Sequence, residues 1–130
     1  MRILLDTHVA LWWISDSPKL TNEDRRLIAD PTNEIYVSAA SAWEVEIKRG
    51  LGKIVIADDW KDAIDRNGFV WLDVKPRHTN LLRQLPDIHK DPFDRMLVAQ
   101  AKDEKLYLIS HDSKVNDYLS NERNRNDEIR

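Results

Sequence analysis

Met1-Arg2-Ile3-Leu4-Leu5-Asp6-Thr7-His8 opens the chain, and Leu106-Tyr107-Leu108-Ile109-Ser110-His111-Asp112 echoes it near the other end. Each is a short apolar run that closes on polar residues and an aspartate, just before a helical stretch. A run that is apolar at successive positions has no solvated face, so it suits a strand buried on both sides. Between the two, β-like runs alternate with helical stretches. That alternation predicts an α/β fold with a parallel sheet covered by helices.

Working outward, residues 2–6, Glu34–Ser38, Phe69–Val74 and Leu106–Ile109 read as strands. Helices are expected over His8–Ile14, from Thr21 to about Asp30 before Pro31, and from Ala39 to Arg49, where Gly50 and Gly52 stop it. Residues 58–67 form an amphipathic helix with Trp60, Ala63 and Ile64 on one side. Pro76 opens a helix carrying Leu81, Leu82 and Leu85, and Pro92 starts another that reaches about Lys105. A last short helix is expected over Asp112–Leu119. Residues 1–119 read as one domain, and Ser120–Arg130, with one apolar residue in eleven, as a flexible polar tail.

The chain of 130 residues is 42% hydrophobic and 33% charged, in the range of a globular protein of one domain. No apolar run approaches the ~20 residues that span a bilayer, and the amino terminus reaches a charge too soon for a secretory leader. Cysteine is absent, which removes disulfide and thiolate chemistry. The expectation is a cytoplasmic protein without a membrane partner. A net charge of −3 does not favour nucleic acid, so such a partner would need a local basic patch or cations bridging acids to phosphate.

Four acids stand where a carboxylate is awkward. Asp6 lies at the carboxyl end of a buried strand, where open α/β folds bind their ligands. It also reads as the N-cap of the following helix. Glu44 shares a helical face with Ala40, Ile47 and Leu51, a place for an apolar residue, while Glu46 and Lys48 read as surface charges. Burying an unpaired carboxylate costs several kcal/mol, roughly, or forces its protonation. Asp94 is the third residue of a helix that Asp91 caps; it pairs with Asp91 as a capping element and lines up with Leu97, Val98 and Ala101. Asp112 repeats Asp6. Gathered in one place, four such acids need a hard cation, and magnesium or manganese takes oxygen ligands of this kind. His8, His78, His89 and His111 show no zinc-like spacing.

With these positions in hand, the chain resembles the PIN-domain ribonucleases of the VapC toxin type. The matching stretches are Leu4-Leu5-Asp6-Thr7-His8, Val37-Ser38-Ala39-Ala40-Ser41-Ala42-Trp43-Glu44 and Leu51-Gly52-Lys53. They continue with Asp91-Pro92-Phe93-Asp94-Arg95, Val98-Ala99-Gln100-Ala101 and Leu108-Ile109-Ser110-His111-Asp112, covering residues 2–118 in the family's order. The resemblance implies a three-layer PIN-like fold, with a mostly parallel sheet of four or five strands and helices on both faces. It implies a Mg2+-dependent endoribonuclease, with Mn2+ as a substitute, leaving a 5′-phosphate and a 3′-hydroxyl. Asp6 and Asp94 map to the principal metal ligands, and Glu44 and Asp112 complete the set directly or through water. Thr7 and Ser110 are supporting residues that orient a ligand or a water. Arg95, Lys48, Arg49 and Lys53 are candidate phosphate contacts, with solvated surface charge as the equal alternative.

The resemblance further implies a cognate antitoxin and a homodimer, for which Trp12 or Trp13 is an interface anchor. Transfer RNA is a common target in the family. Members commonly end in a further apolar strand, whereas Asn121–Arg130 is polar. The competing readings are another magnesium-dependent phosphohydrolase and a catalytically silent PIN-like binding module. A haloacid-dehalogenase-type phosphatase needs a second aspartate where His8 stands, and the presence of all four acids argues against a silent module.

Overall fold

The computed structural model describes residues 1–86, 90–117 and 119. Four strands, β1 (Arg2–Leu5), β2 (Glu34–Ser38), β3 (Val70–Leu72) and β4 (Tyr107–Ile109), pair in parallel in the order β3-β2-β1-β4. Between them run α1 (Thr7–Ile14), α2 (Asn22–Ala29), α3 (Ala39–Gly50), α4 (Trp60–Arg66), α5 (Pro76–Asn80) and α6 (Pro92–Glu104). Residues 113–117 are helical after β4. The expected tail at Ser120–Arg130 and the carboxyl end of the expected last helix, at Tyr118, lie outside the described residues.

Strand alternation divides the core into two. Ile3 and Leu5 face one layer with Val9, Ala10, Ile28, Val45, Trp60 and Ile64, contributed by α1 to α4. Leu4 faces the other with Leu97, Val98, Ala101 and Val115, contributed by α6 and the helical turn after β4. Successive strand side chains point to opposite faces, so one apolar run supplies both cores. Ile3, Leu4 and Leu5 are all fully buried, as continuous strand hydrophobicity requires.

The expected elements are present with small shifts at their ends. β1 stops at Leu5 because Asp6 leaves the ladder to cap α1. The helix expected to carry Leu81, Leu82 and Leu85 instead ends at Asn80 and gives way to a 3-10 turn over Leu82–Gln84. Leu85 is extended because it precedes Pro86, which disfavours helical backbone in its neighbour. The phase assigned to α3 also needs correction. Its buried residues are Ala40, Ser41, Glu44 and Val45, whereas Ile47 and Leu51 are exposed.

Candidate active site

Strand order turns at β1. The chain moves outward from β1 through β2 to β3, then returns to place β4 on β1's other side. Crevices outside the carboxyl ends of strands form at such a reversal. Asp6 follows β1 there and Ser110-His111-Asp112 follows β4, with the Asp6 amide donating to the Ile109 carbonyl at 3.0 Å.

Asp6 is almost fully buried, and both its oxygens are engaged. Oδ1 accepts the Val9 amide at 2.8 Å, capping α1. Oδ2 accepts the Ser110 hydroxyl at 2.7 Å and the His111 amide at 3.2 Å, and His111 Nδ1 also lies 3.2 Å away. Burial works against its charge, but the donors from His111, Ser110 and Val9 outweigh it and hold the carboxyl below its ordinary range. The hydrogen bond to Asp6 in turn raises the His111 imidazole above its ordinary pKa, against partial burial. Capping and site membership therefore coexist in Asp6.

Glu44 projects from α3 and is 3% exposed. Thr7 donates its hydroxyl to Oε1 at 2.7 Å, and Thr7 Oγ1 lies 2.8 Å from Ser41 Oγ. Lys48, one turn on, donates Nζ to Oε2 at 2.6 Å. Partial burial opposes the lysine's charge, but Glu44, with Asp91 and Asp94 behind it, raises its pKa. Lys48 is thus part of the site and not an ordinary surface charge. The i, i+4 spacing from Glu44 was the available signal.

Asp91 caps α6, its Oδ1 accepting the amides of Phe93 at 2.9 Å and Asp94 at 3.0 Å. That fixes Asp94 on the first turn. Asp112 Oδ1 accepts the amides of Lys114 at 2.8 Å and Val115 at 3.2 Å, while its own amide donates to Ser110 Oγ at 3.0 Å. Ser110 thereby links two of the four acids.

Asp6, Glu44, Asp94 and Asp112 line one cavity of about 210 Å³ together with Thr7, His8, Lys48 and Asp91. His8 and His111 escaped the sequence reading because their contacts are tertiary. Their rings meet edge to face at 4.7 Å, and Trp12 packs on His111 at 4.8 Å. Burial, with the charge of His111 second, lowers the His8 pKa. Other candidates turn elsewhere. Arg95 donates to the carbonyls of Leu82 at 2.7 Å and Pro86 at 3.3 Å, and Arg49 is paired with Asp58 and Glu46. Trp13 packs on Phe69 and donates to Asn67. A larger cleft of about 490 Å³ lies at the amino edge of the strands, around residues 28–35. Its Asp30 is engaged by Thr32.

The donor chemistry of the cavity suits a hard cation: carboxylate oxygens on several sides and no thiolate. The carboxylates are not drawn to the spacing of one coordination shell. Among the described residues, the group whose ligand atoms all lie within 4.8 Å of one another is His78, Asp103 and Glu104. That group sits at the far end of α6 and is an ionic network. His78 Nδ1 accepts the Lys75 amide at 2.9 Å, so Nε2 carries the proton and faces Glu104 at 3.0 Å. Arg77 supplies the remaining charge, to Asp103 at 2.7 Å and to Glu104 at 2.5 Å.

No helix among the described residues is long and apolar enough to cross a membrane. No curated protein matches the chain. Among solved structures, a chain of the VapBC2 complex from Rickettsia felis, bound to a DNA fragment from their promoter, shares the fold with a TM-score of 0.65. The two are 17% identical, over 91% of this chain and 93% of that one. The PIN domain family model matches residues 3–118. Spanning nearly the whole sequence, that match establishes that the chain belongs to the PIN domain family.

Proposed function

We propose that the chain is a divalent-metal-dependent endoribonuclease and the toxin of a toxin–antitoxin pair. The observation that carries this reading is the cavity at the carboxyl edge of the sheet, lined by Asp6, Glu44, Asp94 and Asp112 from four separate segments. Membership of the PIN family and the fold shared with a chain of VapBC2 support the toxin role. The reading includes a cognate antitoxin, a homodimer and a transfer RNA or other RNA substrate.

Asp6 and Asp94 would hold Mg2+ or Mn2+, with Glu44 and Asp112 contributing directly or through water. Such an ion, when bound, supplies an acidified water and neutralises charge on the phosphodiester. The chain's own residues prepare the rest. Ser110 and His111 keep Asp6 ionised and fixed in orientation. Thr7 and Lys48 hold the two oxygens of Glu44 in place. Asp91 fixes the first turn of α6 and with it the position of Asp94. Hydrogen bonds of this kind to carboxylate ligands set their orientation and basicity.

The test is purified chain, free of antitoxin, incubated with RNA in Mg2+ and in EDTA. Cleavage is expected only with Mg2+; equal cleavage in both overturns the metal mechanism. Asp6→Asn is expected to abolish growth inhibition on expression, and full retention would remove Asp6 from the chemistry.

A further inference from the structure

The two helices α3 and α6, which supply Glu44 and Asp94 to the cavity, also join through an aromatic pair. Trp43 directly precedes Glu44 and Phe93 directly precedes Asp94, so each ring stems from the position next to a carboxylate that lines the cavity. Their centroids lie 5.2 Å apart at 76°, an edge-to-face contact. Phe93 is half-buried, while Trp43 is 65% exposed. Phe93 thus braces a tryptophan whose surface is largely open to solvent.

Charge around the cavity gives this ring a purpose. The cavity is acidic and the chain carries a net charge of −3, so a phosphodiester is repelled at long range. Three of the candidate phosphate contacts are already paired: Lys48 with Glu44, Arg49 with Asp58 and Glu46, and Arg95 with two backbone carbonyls. Affinity for a nucleic acid therefore gains from a contribution independent of phosphate charge. Stacking of a base on an aromatic face is such a contribution. The wall formed by α1 and the segment after β4 has its own rings, His8, Trp12 and His111.

We infer that Trp43, braced by Phe93, is a base-stacking residue that positions an unpaired nucleotide beside the phosphodiester at the acidic cavity. The inference rests on the endoribonuclease reading above. A base in a duplex is already stacked on its neighbours, so the platform selects loops and single strands. Ile47 and Leu51 extend the exposed apolar stripe at one-turn steps from Trp43. A second protein chain seated on that stripe is the competing occupant. The pairing of Lys48, Arg49 and Arg95 and the place of Trp43 one residue before Glu44 favour the base.

The test uses the full chain carrying Asp94→Asn, which binds without cleaving, and fluorescence anisotropy with a labelled single-stranded RNA oligomer. Adding Trp43→Leu is expected to weaken binding on the order of tenfold, while Trp43→Phe stays near the parent. An abasic oligomer of the same length should bind the parent and the Leu variant equally. Thermal midpoints should coincide, since Trp43 is exposed. Equal RNA affinity of parent and Leu variant overturns the inference, as does an equal loss toward the abasic oligomer. A change in sedimenting mass with RNA affinity intact assigns Trp43 to a protein interface and also overturns it. If the parent binds no RNA and the unsubstituted chain cleaves none, the endoribonuclease reading itself falls, and the stacking role with it.

Discussion

Each buried acid of the site is surrounded by donors chosen for it. Glu44, 3% exposed, has Thr7 on one oxygen and Lys48 on the other. Hydrogen bonds to both oxygens replace the water lost on burial. Thr7→Val conserves shape and the β-branch but removes the donor to Oε1. RNA cleavage is expected to fall about 10–100-fold, the usual effect of losing a hydrogen bond to a metal-ligating group. Thr7→Ser, which restores a hydroxyl, should recover most of it. Single-turnover cleavage measures both, and an unimpaired Thr7→Val would separate Thr7 from the chemistry.

At the scale of the element, α6 shows how local signals set a helix that carries a functional residue. Asp91 caps it, Pro92 occupies its first turn, and Lys105 ends it in the left-handed region at φ 57°, ψ 49°. That conformation costs a residue with a Cβ about 1 kcal/mol, which glycine avoids. Lys105→Gly is therefore expected to stabilise the chain by roughly 0.5–1 kcal/mol with RNA cleavage unchanged. Thermal unfolding reads this directly, and a lowered midpoint would contradict it. In α3, by contrast, periodicity misassigned the buried face. Its inward side holds Ser41 and Glu44 because they face Thr7 on α1, while Ile47 and Leu51 are left in solvent.

At the scale of the whole molecule, the reversal of strand order at β1 brings residues 6, 44, 94 and 112 to one cavity. On the proposed reading, a cation bound there is held by several like-charged carboxylates at once. Saturating Mg2+ is therefore expected to raise the thermal midpoint, since at about 100 times Kd a ligand of the native state adds about 2.7 kcal/mol. Asp94→Asn should remove most of that increment. A midpoint insensitive to Mg2+ in the unsubstituted chain would show that these carboxylates hold no cation. The sequence by itself determined the element order, the parallel character of the sheet and the buried strand ends. Apolar runs at Ile3–Leu5 and Leu106–Ile109, the caps at Thr21 and Asp91, and the prolines act through short-range sterics and hydrogen bonds. It also singled out the four acids, since a carboxylate within an apolar pattern is visible without coordinates. Only the tertiary structure decided what surrounds them: Thr7 on Glu44, His111 on Asp6, Arg95 turned to Leu82 and Pro86, and Trp43 left open beside Phe93. Those contacts join residues from separate helices and strand ends, or depend on which face of a helix meets the sheet. Packing fixes both, and local propensity is blind to it.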